Sequence, residues 1–130
     1  MVEFRREGRL NKKLIILISI LISIVLVTVY ILFTKEQAKK SIYNYISKQG
    51  ITEKQLKYVD FKKDYKRGGY NLFTYVNDEK ENIHYVYHYQ DRKVTFSAYL
   101  NDPDYIKEKA WGGSRLTAEE LSTLKHPPLK

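Results

Sequence analysis

The sequence contains no cysteine, and this absence excludes several kinds of covalent link and functional site. Without thiols the chain forms no disulfides, and it provides no cysteine nucleophile, no iron–sulfur cluster ligands and no cysteine zinc site. The chain is also short, because 130 residues suffice for one domain and its appendages. The sequence therefore predicts a single small domain without disulfides.

Motifs that carry chemistry are also missing. No serine has the context of a nucleophile elbow, and Gly112-Gly113-Ser114 lacks the spacing of a phosphate-binding loop. Asp102 and Asp104 lack the further oxygen ligands and the glycine of a calcium loop. His84 and His88 point the same way on a predicted strand, but they lie about 13 Å apart at ~3.3 Å per residue, too far to bind one ion. We therefore predict no enzymatic activity, no catalytic residue, no cofactor and no metal site.

One apolar segment dominates the N-terminal part of the chain. Leu14–Phe33 contains 17 apolar residues in 20 and no charge. As a helix it would be about 30 Å long at ~1.5 Å per residue, which matches the hydrocarbon core of a bilayer. The sequence therefore predicts a transmembrane helix over residues 14–33, preceded by a basic leader over residues 1–13.

A cleaved signal peptide is the alternative interpretation of this segment. Signal peptides have a basic start, which is present here, but their apolar run is about 7–15 residues long and a small-residue cleavage site follows it. This run is longer, and it ends in Tyr30–Lys35 without an A-x-A pattern. We therefore expect an uncleaved, single-pass signal anchor.

The charge distribution favours one orientation in the cell membrane. Five Lys or Arg residues precede the span and four lysines follow it closely, a bias of five to four. The free amino terminus adds a positive charge on the short side, and a domain behind a signal anchor is translocated largely regardless of charge. We predict a cytoplasmic N terminus and an extracytoplasmic C-terminal domain.

After the span, the periodicity changes from helical to strand-like. Ala38, Ile42, Tyr45 and Ile46 share one face of a helix predicted over residues 35–49, and Gly50 occupies the position of a C-cap glycine. Four strand patterns follow, within residues 56–63, 70–76, 83–89 and 94–100. The connections between them are short, and short connections join antiparallel neighbours.

These elements predict an α+β fold, in which a transmembrane helix precedes an amphipathic helix packed on a four-stranded antiparallel meander. The extracytoplasmic α+β domain would span residues 34–101. Its predicted core consists of Ile42, Tyr45, Ile46, Phe61, Leu72, Tyr85, Tyr87, Phe96, Ala98 and Leu100. The order of elements is similar to that of PepSY-like and cystatin-like modules of bacterial envelope proteins, and this analogy concerns architecture alone.

The remaining residues, 102–130, are predicted to form a C-terminal tail with one short helix. Thr117-Ala118-Glu119-Glu120 is a capping-box pattern, which predicts a helix over residues 118–124. Pro127-Pro128 follows it and prevents its continuation.

Three segments together resemble a known family. They are the turn Asp64-Tyr65-Lys66-Arg67-Gly68-Gly69-Tyr70, the aromatic strand that follows it, and the terminal Leu124-Lys125-His126-Pro127-Pro128-Leu129. With the basic leader, the single span and the helix that ends in glycine, they resemble the short single-span Firmicute proteins of domain of unknown function 3139. The resemblance implies a membrane location and a Gram-positive origin, and it implies no activity and no site residues.

The density of tyrosine is the remaining unusual feature. The chain has 12 tyrosines, 11 of them after the span. Tyrosine combines a large apolar ring with a polar hydroxyl, which suits interfaces as well as β-sheets and the lipid headgroup region. We select Tyr70, Tyr75, Tyr99 and Trp111 as candidate partner contacts.

We therefore predict a single-pass, membrane-anchored protein whose small extracytoplasmic domain binds a partner and catalyses nothing. The expected partners are the lipid bilayer and another envelope protein, and the net charge of +5 after the span also favours contact with an anionic lipid or polymer. An exported domain makes nucleic acid a poor partner. The alternative hypothesis is a regulator or inhibitor of a cell-envelope peptidase, by analogy with cystatins.

Overall fold

A computed structural model describes residues 2–101 and 111–130 of the chain. The chain divides into two units, one that ends at Glu36 and one that spans Gln37–Lys130. Asp102 and Asp104, which the sequence predicts not to form a calcium loop, lie outside the described residues. Each unit is considered by itself.

The N-terminal unit is helical and belongs to α1, which spans Val2–Lys48. Its apolar side chains have few protein neighbours, since the large hydrophobic residues between Leu14 and Phe33 are 46–68% exposed. By length and composition, this helix contains a segment able to cross a membrane. The predicted apolar helix is therefore present, and it runs without interruption into the predicted amphipathic helix.

Helix α1 ends in a Schellman motif. Gly50 adopts a φ of 84°, and its backbone N–H donates to Ser47 O at 3.0 Å. The N–H of Ile51 donates to Ile46 O at 3.2 Å, and these two apolar side chains lie in the same buried cluster. The C-cap role predicted for Gly50 is confirmed.

The second unit contains a five-stranded antiparallel sheet, with the strands in sequence order. The strands are β1 (Leu56–Lys63), β2 (Tyr70–Val76), β3 (Ile83–Gln90), β4 (Lys93–Leu100) and β5 (Ser114–Arg115). A 3-10 turn, Glu53–Gln55, precedes β1, and the short helix α2, Ala118–Ser122, follows β5. The predicted meander is confirmed. The additional strand β5 was not predicted, because two residues are too few to form a recognisable strand pattern in the sequence.

Two connections explain why the strands pair in this register. Asp91 and Arg92 have φ values of 51° and 62°, which gives the two-residue turn whose twist suits a hairpin between β3 and β4. At Gly69, a Cβ atom would lie 1.9 Å from the backbone oxygen of Tyr89, so only glycine allows β2 to start this close to β3.

The core lies between the sheet and the C-terminal part of α1. One buried cluster joins helix and sheet residues and the residues that follow β5: Ile42, Ile46, Ile51, Leu72, Val76, Ile83, Tyr85, Tyr87, Ala98, Leu116 and Leu124. Tyr45, Phe61 and Phe96 pack against this cluster, as predicted. Leu100 was also predicted in the core, and this is wrong: it is 42% exposed, because it ends β4 beside the very short β5.

The residues after β5 are tied to this unit. Thr117 Oγ1 accepts a hydrogen bond from Glu120 N at 3.3 Å, and Glu120 Oε1 accepts from Thr117 N at 3.1 Å, so the predicted capping box is confirmed. Near the C terminus, the Leu129 N–H donates to the hydroxyl of Tyr45 at 2.9 Å, and His126 Nε2 lies 2.9 Å from the Asp78 carboxylate. The terminal motif therefore packs on the helix and the sheet.

Candidate functional site on the outer sheet face

The sheet has one face against α1, and we call the opposite face the outer face. Because side chains alternate along a strand, the same strands that bury Leu72, Tyr85 and Tyr87 in the core present their other residues here. The outer face carries Asn71, Phe73 and Tyr75 of β2, His84, Val86 and His88 of β3, and Thr95, Ser97 and Tyr99 of β4. A groove of about 860 Å³ lies over this face.

Aromatic rings form one end of the outer face, and Trp111 lies on them. Its indole ring stacks on Phe73 at a centroid distance of 5.3 Å and on Tyr75 at 5.5 Å, with interplanar angles near 25°. The indole N–H donates to Asp60 Oδ2 at 2.8 Å, which fixes the ring across β1 and β2. Trp111 stays half-buried and lines the groove, so part of its ring is available to a ligand.

His84 lies at the centre of these rings and is almost fully buried, with 1% of its surface exposed. It stacks on Tyr99 at 5.4 Å and contacts Trp111 at 5.2 Å, and its Nδ1 is hydrogen-bonded to the amide oxygen of Asn101. Burial lowers the pKa of His84, although the bond to Asn101 opposes this shift. The neutral imidazole is therefore favoured, and His84 acts as part of the aromatic layer rather than as a cation.

The other end of the groove is the turn between β1 and β2, which Asp64 organises. Asp64 Oδ1 accepts from the backbone N–H groups of Lys66 at 3.0 Å and Arg67 at 2.9 Å, and Oδ2 accepts from the Asn71 side chain at 2.9 Å. The backbone bond from Arg67, followed by the bond from Asn71, lowers the pKa of Asp64. The carboxylate therefore serves as a fixed internal acceptor of this turn.

His88 connects the turn to the sheet. Its Nδ1 lies 2.5 Å from Asn71 Oδ1, and its Nε2 lies 3.2 Å from Gln90 Oε1. Both amides are oriented by their other bonds, because Asn71 Nδ2 donates to Asp64 and Gln90 Nε2 donates to the carbonyl oxygen of Arg67 at 2.6 Å. His88 thus lies between two oriented side-chain amides, and its Nδ1 lies 3.7 Å from the Asp64 carboxylate.

Cationic side chains line the groove in excess over acidic ones. The cations are Lys62, Lys63, Lys66, Arg67 and Arg115, whereas Asp64 is the acidic residue among the described lining residues. Lys62 pairs with Asp60 at 3.4 Å and lies over the Phe73 ring. Within the described parts of the chain, Lys66, Arg67 and Arg115 have no ion-pair partner. The described lining of the groove therefore carries a net positive charge, with aromatic rings at one end.

Three of the four predicted contact residues meet on the outer face. Tyr75, Tyr99 and Trp111 all contact the ring of His84. Tyr70 lies elsewhere: its position on β2 puts it on the face toward α1, where it is 9% exposed and stacks on Phe61 at 5.4 Å. Tyr75 itself is 6% exposed, so Tyr99 and Trp111 are the more accessible of the three.

Other groove residues were not selected from the sequence. Phe73 had a detectable signal, since it lies in the aromatic strand and alternates with core residues. Arg115 had no detectable signal in the sequence, because its position beside Tyr99 depends on the two-residue strand β5. His84 and His88 do share the outer face as predicted, but they bind different amides, and the described residues contain no cluster of three or more potential metal ligands.

Comparison with known proteins gives two matches. A family model described as "Protein of unknown function (DUF3139)" matches residues 11–89. An "Uncharacterized 13.4 kDa protein" from Bacillus thuringiensis is 58% identical over 114 residues, which cover 88% of this chain and all of that protein. No solved structure matches the chain significantly. The family match extends from the apolar segment through β3, so it includes most of the aromatic and polar framework of the groove.

Proposed function

We propose that this chain, which belongs to the DUF3139 family of proteins of unknown function, is a membrane-anchored binding protein without catalytic activity. The observation that carries the proposal is the groove of about 860 Å³ on the outer face, which combines half-buried aromatic rings with cations that have no ion-pair partner among the described residues. A volume of that size is typical of a ligand site rather than of a packing defect.

The anchor is the apolar part of α1. Every large hydrophobic side chain from Leu14 to Phe33 is at least 46% exposed in the isolated chain. Burying a side chain of this kind contributes about 1.5–3 kcal/mol, and the protein itself covers few of them, so a bilayer is the environment that accounts for the segment. A cleaved signal sequence would discard a segment that is helical without a break into the second unit.

In the proposed orientation the N terminus is cytoplasmic and the second unit is extracytoplasmic. The absence of cysteine makes this directly testable, since a single introduced thiol labels without background. Lys130→Cys, at the exposed C terminus, should react with a membrane-impermeant maleimide on intact cells, whereas Asn11→Cys should react after lysis alone. The reverse pattern would contradict the orientation.

Binding is assigned to the outer face because the inner face is already occupied by α1. Residues of the inner face such as Leu72, Tyr85 and Tyr87 are fully buried within the chain. On the outer face Tyr99, Ser97 and Trp111 are half-buried and line a concave surface. Amphipathic rings in such a position are typical of binding surfaces. The expected ligand is a component of the cell envelope.

Photo-crosslinking in living cells tests this function. A benzophenone amino acid at Ser97 would project into the groove, whereas the same group at Glu119, exposed on α2, is a matched control away from it. We expect a discrete adduct from position 97 and none from position 119. Adducts of equal yield from both positions, or none from either, would refute a binding function for the outer face.

A further inference from the structure

We propose that the groove on the outer face takes a segment of an anionic glycan, in which sugar rings lie on Tyr99 and Trp111 and acidic groups meet the cations of the rim. This inference rests on the proposed binding function and names the chemical class of its ligand. It depends on three observations: the unpaired charge, the nature of the aromatic end, and the size of the groove.

The charge is the first observation. Lys66, Arg67 and Arg115 line the groove without an ion-pair partner in the described residues. Asp64, the acidic residue among the described lining residues, is already bonded through both oxygens to its own turn and to Asn71. The groove therefore keeps its positive potential, and an anionic ligand supplies the missing counter-charge.

The aromatic end is the second observation. Tyr99 and Trp111 are the partly exposed rings there, since Trp111 and Lys62 lie on the Phe73 ring. The aliphatic residue Val86 is 92% buried beneath the groove. Ring faces carry partial negative charge and attract the polarised C–H groups of a pyranose. Hydroxyl groups of Thr95 and Ser97 lie on the same strand as Tyr99 and suit a polyhydroxylated ligand. A lipid acyl chain would favour an aliphatic floor instead.

The size of the groove is the third observation. About 860 Å³ accommodates a few sugar units, and it falls within the ~300–1,000 Å³ typical of small-ligand sites. A folded protein partner generally needs about 800 Å² of surface on each side, which is a broad contact rather than a groove. The same groove would admit an acidic peptide in extended form, but a peptide requires no ring-stacking surface, and so a glycan is the better fit.

Fluorescence of the full chain in phosphatidylcholine nanodiscs tests the assignment. Trp111 is the sole tryptophan of the chain and lies in the groove, so its emission reports occupancy directly. The acidic probes are oligogalacturonate and phosphomannan, and the neutral controls are methyl-esterified oligogalacturonate and dephosphorylated mannan. Polyglutamate provides the charge without sugar rings, and nanodiscs that contain phosphatidylglycerol provide an anionic headgroup.

We expect a saturable change with at least one acidic glycan, and about tenfold weaker binding or none for its neutral form and for polyglutamate. Arg67→Gln and Arg115→Gln should each weaken glycan binding about threefold to tenfold, whereas Lys125→Gln, an exposed lysine outside the groove, should leave it unchanged. Tyr99→Leu should weaken binding while the unfolding transition persists.

Equal binding of neutral and acidic glycans would overturn the charge argument. Tighter binding of polyglutamate would assign the groove to an acidic peptide, and a response to phosphatidylglycerol alone would assign it to a headgroup. No response to any glycan would also overturn the inference. If the crosslinking at position 97 then still gave an adduct, the binding function would stand and the glycan assignment alone would fail.

Discussion

Three glycines provide a graded test of how closely β2 and β3 approach each other. At Gly69, φ is 73° and a Cβ atom would lie 1.9 Å from Tyr89 O. At Gly50, φ is 84° but no atom lies within 4 Å of a Cβ, and Gly112 has neither a positive φ nor a close neighbour. Alanine at the three positions therefore separates backbone strain from steric overlap.

The magnitudes follow from these geometries. The left-handed conformation costs a non-glycine residue about 1–2 kcal/mol, which is the whole effect expected for Gly50→Ala. Gly69→Ala adds an overlap that requires the backbone at Tyr89 to move by about 1.4 Å to reach an ordinary carbon–oxygen contact of ~3.3 Å. Overlap of this kind costs about 1–3 kcal/mol more. Gly112→Ala should change stability by no more than about 1 kcal/mol, in the stabilising direction.

Urea unfolding of the full chain in detergent, followed by Trp111 emission, measures all three variants. The probe is suitable because Trp111 stacks on two residues of β2 and so reports the packing of the sheet. The expected order of unfolding free energy is Gly112→Ala above wild type, then Gly50→Ala, then Gly69→Ala. Equal losses for Gly50→Ala and Gly69→Ala would show that β2 and β3 do not approach in this way.

Three further predictions concern His84, the core and Trp111. Burial lowers the pKa of His84 in the folded state, so the unfolded chain binds a proton more readily and the unfolding free energy should decrease as the pH falls below about 6.5. His84→Phe should remove that part of the pH dependence. If the unfolding free energy of His84→Phe depended on pH as in the wild type, the result would argue against the burial of His84. Leu72→Ala, at a fully buried position, should cost about 2–5 kcal/mol, and Leu100→Ala less than about 1 kcal/mol; urea midpoints compare them. Asp60→Ala should cost about 1–3 kcal/mol by leaving the indole N–H of Trp111 without its acceptor, and an unshifted emission maximum would contradict the hydrogen bond.

Regular patterns made much of the fold predictable from the sequence. The spacing of Ala38, Ile42 and Ile46 indicates a helix with one buried face, and Gly50 marks its end through a backbone conformation that side chains disfavour. Alternation along β3 and β4 likewise indicates which residues share a face, because a strand has a period of two.

Irregular features were not predictable, because they depend on contacts distant in sequence. Tyr58 has a φ of 55° in a bulge of β1, where two residues lie opposite one of β2. The face of Tyr70, by contrast, was predictable, because Tyr70 and Tyr75 are five residues apart in one strand and therefore lie on opposite faces.

Two residues of the groove were selected from the sequence, but the arrangement of the groove was not predictable. Tyr99 and Trp111 were selected for their chemistry, and the structure brings them together around His84. The hydrogen bonds that join Asp64, Asn71 and His88 involve residues from three different elements, and no local spacing in the sequence predicts them. Polar networks of this kind follow from tertiary packing rather than from periodicity.

Thiol accessibility in intact cells tests the central claim most directly, because it asks whether the outer face is occupied outside the membrane. Ser97→Cys lies in the groove and Glu119→Cys lies on exposed α2, and the chain has no other cysteine. With an impermeant maleimide, we expect position 119 to label equally in cells and in the purified chain, and position 97 to label much more slowly in cells. Equal rates at position 97 in both preparations would contradict an occupied groove, and no labelling of position 119 in cells would contradict an extracytoplasmic domain.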